Sequence, residues 1–327
     1  MVKYGEYMKK GLNVVCLGGG IGTMNLLKGL VKHDLNITVI VSMADDGGSA
    51  GRLRRAYNVL PSGDIISCLS TLTENELYSK LITYRFPGDR YGKDTALEGQ
   101  KIGNLLMVAA EEITGSFEGG IALLKKLFNV DANIIPATEK KVALHAKTID
   151  GRVIESEEKI DLGEYAEPRV LEEIFLNPKD AETPQTALTA LEKADCIIAG
   201  PGDLYTNILP VLVVPAIAKK LKALDIPKIF IINIANKPFE TKGYTVAEFI
   251  KAVDKHLGSF PFQKIIINNN SKFPIPAEFD YTYVPFEKDR MPTLPETFAV
   301  IEADLVDEKF PLYHNPEKLA HVIMKNL

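Results

Sequence analysis

The chain has 327 residues, 46% of them hydrophobic and 25% charged, with a mean hydropathy of +0.01. That is the make-up of a folded chain long enough to bury a core without disulfides or metals, and it excludes disorder. The 38 Lys+Arg set against 43 Asp+Glu leave a net charge of −5, which excludes the basic face that non-specific nucleic-acid binding needs. Cys16, Cys68 and Cys196 are far apart with no C-x-x-C pair, so neither a disulfide framework nor a zinc site is expected. The apolar run Leu12 to Leu17 contains Asn13 and stops at three glycines, too short for a signal-peptide core. The run Ile208 to Ala218 carries two prolines and is about half a membrane span. No membrane span is expected, and the chain reads as soluble and cytoplasmic.

The elements follow a repeated strand, loop, helix order. Val14-Val15-Cys16-Leu17 reads as a strand buried on both faces, ending in Gly18-Gly19-Gly20. From Thr23, Met24, Leu27, Leu30 and Val31 recur at helical spacing. Ile37 to Val41 is a second buried strand, completing a parallel crossover unit. Asp64 to Phe86, Gly103 to Glu112 and Phe117 to Phe128 read as helices, with a mobile loop over Pro87 to Lys101. Asn133 to Ala137 and Val142 to Ile149 have strand composition, and Asp150-Gly151 signals a hairpin into Arg152-Val153-Ile154. Crossover logic resumes with strands at 196–199, 229–232 and 265–267 and helices built on Val214, Ile217, Ala218 and Leu221 and on Tyr244 to Leu257. The whole, 1–327, reads as one doubly wound α/β domain with a mostly parallel sheet and a small antiparallel excursion near 130–182.

In an open parallel sheet, ligands bind beyond the carboxyl ends of the strands. Gly18-Gly19-Gly20-Ile21-Gly22-Thr23 offers amide groups at a helix N-terminus to a phosphate or pyrophosphate, the alternative being a tight turn alone. It fits neither the G-x-G-x-x-G fingerprint nor an ATPase phosphate loop. Asp45-Asp46-Gly47-Gly48-Ser49-Ala50-Gly51-Arg52 follows the second strand. One acid would hold a ribose and the other Mg²⁺, Gly47 and Gly48 an anion, and Arg52, Arg54 and Arg55 a phosphate. The bland reading is a helix cap with solvated arginines. Asp64 is either an N-cap or a further metal ligand or base, so Asp46 and Asp64 form the candidate Mg²⁺ pair. Gly103-Asn104 could donate to a phosphate or sugar. Gly200-Pro201-Gly202-Asp203-Leu204-Tyr205-Thr206 is a second glycine loop, and Asn233 ends the next strand. Two such loops suggest a ligand with several polar groups, such as a nucleotide sugar. His145 reads as an ordinary core or surface histidine; His33, His256, His314 and His321 show no metal spacing.

The Gly18–Thr23 run, the Asp45–Arg54 run and Leu60-Pro61-Ser62-Gly63-Asp64-Ile65 together resemble the YvcK-like gluconeogenesis-factor family, relatives of CofD, the 2-phospho-L-lactate transferase. Gly103-Asn104-Leu105-Leu106, Pro136-Ala137-Thr138, Leu144-His145-Ala146, the Gly200–Thr206 run and Glu240 to Thr245 continue the resemblance, from about residue 13 to 325. The chain departs from the family pattern at Ile66-Ser67, Gly99-Gln100 and Tyr313-His314-Asn315. The resemblance implies a Rossmann-like, CofD-like cytoplasmic protein that binds a nucleotide or nucleotide sugar such as UDP-N-acetylglucosamine. It also implies a regulatory role in gluconeogenic growth, cell shape and cell-wall precursor supply. A Mg²⁺-dependent transferase moving a phospholactyl-type group from a guanylyl-activated donor is the alternative. No catalytic residue is assigned, and homo-oligomerisation is left open.

Overall fold

The computed structural model describes residues 11–90, 97–163 and 171–327. β1 (Leu12–Gly18) is followed by α1 (Gly20–Leu30) and β2 (Leu35–Val41). Four helices come next: α2 (Gly48–Tyr57), α3 (Gly63–Leu72), α4 (Glu76–Thr83) and α5 (Ile102–Thr114). After α6 (Phe117–Leu127) the chain enters β3 (Asn133–Pro136). The excursion is β4 (Ala143–Thr148), β5 (Val153–Glu155), α7 (Glu157–Leu162) and β6 (Leu171–Asn177). Then α8 (Gln185–Glu192), β7 (Cys196–Ala199), a π turn (Leu204–Ile208), α9 (Leu209–Leu212), α10 (Pro215–Ala223) and β8 (Lys228–Ile231) follow. The rest is β9 (Ala235–Asn236), α11 (Val246–Leu257), β10 (Lys264–Asn268), β11 (Thr282–Tyr283), β12 (Ala299–Ala303) and α12 (Pro316–Met324).

The main sheet has the order β12-β10-β8-β7-β1-β2-β3, and all its pairings are parallel. The first half of the chain winds outward from β1 through β2 to β3, and the second half winds outward from β7. The winding therefore reverses between β1 and β7, where a crevice opens at the strand ends. Leu17 pairs with Ala199, so the two glycine loops leave the sheet at the same level, side by side. Alternation along β1 sends Val14 and Cys16 into one apolar layer, and Val15 and Leu17 into the other. The first layer is covered by α1, α3, α5, α6 and α12. The second is covered by α9, α10, α11 and the excursion, whose Leu144, Ala146, Ile154, Ile174 and Leu176 join it. Helices on both faces make the fold doubly wound and Rossmann-like.

Several expectations shift in detail. The Asn133–Ala137 run is the edge strand of the main sheet, paired with β2, so the antiparallel excursion is narrower than 130–182. It is the three-stranded order β5-β4-β6, turning at Asp150-Gly151 as expected. The run Asp64 to Phe86 is two helices, because the Asn75 side chain accepts from the Leu77 and Tyr78 amides and starts α4 afresh. The mobile loop over Pro87 to Lys101 falls partly outside the described residues. Its described ends are tied together, Phe86 N–H donating to the Gln100 carbonyl at 2.9 Å. The Ile208–Ala218 run breaks at its prolines into α9, which is buried throughout, and α10, which buries one face through Ile217 and Leu221; among the described residues no single helix is long and apolar enough to cross a membrane. β12, α12 and the β9–β11 ribbon were not expected. α12 lies on α1, and Gly29 permits the approach: a Cβ there would sit 2.1 Å from the Pro316 carbonyl oxygen.

Candidate functional site

The crevice between β1 and β7 deepens into a cavity of about 720 Å³. The glycine loop forms one wall, but only Gly20, Ile21 and Gly22 of it border the cavity. Gly18 turns inward with φ +151°, a conformation that side-chain-bearing residues rarely adopt, and Thr23 is wholly buried with its hydroxyl donating to the Pro201 carbonyl at 3.2 Å. Gly22 packs against the same loop, where a Cβ would lie 2.6 Å from the Pro201 oxygen. Much of the glycine content is thus needed for the two loops to touch. At Gly19 a Cβ would lie 2.1 Å from Asp64 Oδ2, and the Gly20 N–H donates to Asp64 Oδ1 at 3.1 Å. A carboxylate of the chain itself therefore occupies the first amide of α1. Asp64 is in the first turn of α3 and does not cap it; it caps α1 instead.

Asp45 faces Asp64 across this end of the cavity. Its Oδ1 accepts from the Gly47 N–H at 2.9 Å. Desolvation pushes its carboxyl up to about 7; the Gly47 bond opposes this, and the charges of Asp64 and Asp46 add to it. Desolvation also raises Asp64, against the Gly20 bond and the Lys101 charge. Asp46 does not join them. Its Oδ1 accepts from the Ser156 hydroxyl at 3.0 Å and the Glu158 N–H at 3.1 Å, which ties the β2 loop to the excursion. Asp45, rather than Asp46, is the neighbour of Asp64.

Apart from Gly47, the remaining residues of this loop serve the scaffold. Gly47 borders the cavity beside Glu158, and Gly48, at φ +51°, packs against Arg90. The Ser49 hydroxyl accepts from Arg85 Nη1 at 3.1 Å and from Asn104 Nδ2 at 3.3 Å. Gly103 is a packing glycine, its Cβ position 2.3 Å from the Ile66 side chain. Arg52 donates to the Glu98 carbonyl, Arg54 to the Val142 carbonyl at 2.6 Å, and Arg55 to the Asp46 carbonyl at 3.1 Å. None of the three borders the cavity. The arginines expected to clamp phosphate instead satisfy carbonyls that leave their loops without a sheet partner.

The second glycine loop faces the same space with Pro201, Gly202, Asp203, Thr206 and Asn207. Asn233 Oδ1 accepts from the Gly202 N–H at 3.1 Å and joins the β7 and β8 ends. Tyr205 is buried in the core, its hydroxyl 2.7 Å from that of Tyr244. Sequence reasoning missed what lies at this end. Lys237 reaches Asp203 at 2.9 Å, Glu240 at 3.2 Å and Asp161 of the excursion. Burial works against its charge, but these carboxylates outweigh that and hold the ammonium above its ordinary range. Glu240 also accepts from the Tyr205 N–H at 2.9 Å and the Thr206 hydroxyl at 2.9 Å; burial nevertheless pushes its carboxyl up to about 7, against the Lys237 charge. The wall is completed by Phe239, Phe279, Tyr281, Tyr313 and His314. The spacing Lys237-x-x-Glu240 was the one available signal for this cluster; its partners are 34 and 76 positions away from Lys237.

The match to known proteins fits this architecture. The family model for 2-phospho-L-lactate transferase CofD matches residues 14–306. The gluconeogenesis factor of Bacillus subtilis is 37% identical over 271 residues, 83% of this chain and 82% of that protein. That of Listeria monocytogenes is 33% identical over 319 residues, covering 96% of this chain and 95% of the relative. A solved structure of a UPF0052-family protein from Bacillus halodurans superposes with a TM-score of 0.87 at 33% identity, covering 96% of this chain and 99% of that one. Glycine loops at the sheet's switch point, acids after β2 and at the start of α3, and more than one-third identity to several relatives over most of the chain agree: this chain belongs to the gluconeogenesis factor family, on a CofD-type fold.

Proposed function

We propose that the cavity receives a nucleotide diphosphate joined to a sugar, UDP-N-acetylglucosamine being the representative ligand. In this reading the protein is a cytoplasmic regulator tied to carbon metabolism, cell shape and cell-wall precursor supply. The observation that carries the proposal is the meeting of Asp45 and Asp64 with the amide end of α1 at the switch point. Two carboxylates a short way from helix amides are the hard-oxygen set that Mg²⁺ takes, with phosphate oxygens and water as its other ligands. Burial raises the proton affinity of both, and at Asp45 the charges of Asp64 and Asp46 add to it. When bound, Mg²⁺ would neutralise the diphosphate. The chain's own part is to aim the remaining first-turn amides of α1 at the anion and to hold the sugar against the far wall.

A second reading is supported by the family model itself and by the same pair of acids: a Mg²⁺-dependent transferase that uses a guanylyl-activated donor. Thermal shift with UDP-sugars, GDP and GTP, with and without Mg²⁺, separates the two. A ligand at 100 times its Kd adds about 2.7 kcal/mol of stability. Stabilisation by UDP-sugars without turnover supports the regulator; a GDP response with product formed supports the enzyme. Gly19→Val should abolish Mg²⁺-dependent binding in either case, because its side chain must displace Asp64. Normal binding by that variant would remove the glycine loop from the site.

A further inference from the structure

A second cavity, of about 860 Å³, lies where β1 and β3 begin and shares no residue with the first. α6 and α8 flank it, with Lys125 and Lys126 on the first, Thr186 and Thr189 on the second and Lys193 just past its end. Its floor is the row Val15, Thr38 and Asn133, side by side across β1, β2 and β3. A parallel sheet covered on both faces is apolar along its strands, and Ile37 and Val39, on either side of Thr38, keep to that in the opposite layer. Thr38 and Asn133 break the rule, although Thr38 is more than nine-tenths buried. They border open space where apolar side chains would otherwise meet a helix.

The groups around this space are mostly donors. Lys125 Nζ donates to Asn133 Oδ1 at 3.3 Å, and Asn133 Nδ2 to Thr38 Oγ1 at 3.4 Å, which leaves the Thr38 hydroxyl its own proton to give. The ammonium groups of Lys126 and Lys193 have no hydrogen bond or ion pair among the described residues, and Lys125 has no ion pair. Two carboxylates border the cavity. Glu118 accepts from the Thr186 hydroxyl at 2.7 Å, and the exposed Asp131 acts on Lys125 through its charge alone. Burial pushes the Lys125 ammonium down from its ordinary range against that charge, so an anion entering here would act in the same sense as Asp131. Ammonium groups are point charges and suit the oxygens of a phosphate, where a planar carboxylate is better met by the fork of an arginine. A cavity of this size takes a whole small molecule rather than a bare ion. We propose that it is a second binding site, for a small phosphorylated metabolite, with Lys125, Lys126 and Lys193 holding the phosphate and Thr38 and Asn133 meeting the hydroxyls.

The test is calorimetric titration of glucose 6-phosphate, 3-phosphoglycerate and glucose into the full chain. EDTA is present throughout, so that the Asp45–Asp64 end holds no cation. At least one of the two phosphorylated probes should bind, more weakly as salt is added, and glucose should not. The double variant Lys125→Gln/Lys193→Gln should weaken that binding by about tenfold or more, the size expected of lost charged contacts. A control, Lys219→Gln/Lys288→Gln, removes the same charge from exposed lysines elsewhere and should leave the affinity within about twofold, because distant surface charges are screened. Failure of both phosphorylated probes to bind the wild type would overturn the proposal. So would binding that Lys125→Gln/Lys193→Gln leaves unchanged, which would put the ligand elsewhere. Equal weakening by the control pair would reduce the effect to overall charge and overturn it as well. None of these outcomes bears on the nucleotide-sugar reading of the first cavity.

Discussion

The two ends of the cavity are both acidic, and they resolve their charge in opposite ways. At the Lys237 end, three carboxylates from three separate segments surround one ammonium, and Glu240 accepts from three donors. At the Asp45 end, two carboxylates face each other without an ion pair among the described residues. Arg90 and Lys101 ease Asp45 and Asp64 respectively through their charge. The first arrangement holds an ammonium among its acids; the second holds two acids that burial, above all, pushes toward the protonated form, with the charges of Asp64 and Asp46 adding to it at Asp45. A buried acid is thus informative about function only after its partners have been counted.

Lys237→Met is the largest expected perturbation. It leaves three acids sharing one pocket uncompensated and should cost about 3–5 kcal/mol, read as a lower urea midpoint. An unchanged midpoint would show that the two ends do not differ as described. Asp45→Asn should act in the other direction. Its folded carboxyl is raised to about 7, so the native state favours the protonated form, and the associated stability is lost as pH rises through 7. The variant should therefore be more stable than the parent by about 1–3 kcal/mol at pH 8 and indistinguishable from it near pH 4, while losing Mg²⁺-dependent nucleotide binding. Melting curves at the two pH values decide it.

His314 supplies a third contrast. Burial pushes its imidazole down to about 3, against the hydrogen bond with the Ile232 carbonyl. Its stabilising contribution is complete above about pH 6.5 and is lost at up to about 1.4 kcal/mol per pH unit below that. His314→Asn should flatten the acid limb of the stability profile between pH 6 and 4. The smallest effect is expected for Asp46→Ala, which removes the bonds to Ser156 and Glu158. It should cost about 1–2 kcal/mol and speed amide exchange in α7, with the Asp45–Asp64 end still responding to Mg²⁺. Loss of that response would place Asp46 among the cation ligands after all.

The glycine loops, the buried strands β1, β2, β7, β8 and β10 and the acids following β2 are legible because each is written in consecutive residues. The hairpin at Asp150-Gly151 is legible for the same reason. β12 escaped notice because Glu302 interrupts its apolar run at the sheet edge, and β3 was assigned to the excursion because composition does not state which strand it pairs with. At the site, Arg52, Gly103, Asn104 and Tyr205 carry the residue types of a ligand site, yet their side chains or packing positions are used by the scaffold.

The order of strands and helices, the need for a parallel sheet buried on both faces and the position of polar loops at its carboxyl edge follow from local pattern, because hydrophobic periodicity and glycine placement act over a few residues. Which acid faces which was decided only by the folded chain. Asp45 and Asp46 are adjacent in sequence and point to different partners, one to Asp64 and the other to Ser156 and Glu158. Lys237 gathers carboxylates from three segments, and α7 crosses from the excursion to the cavity. Charge interacts through space, so its pairing is a property of the tertiary structure.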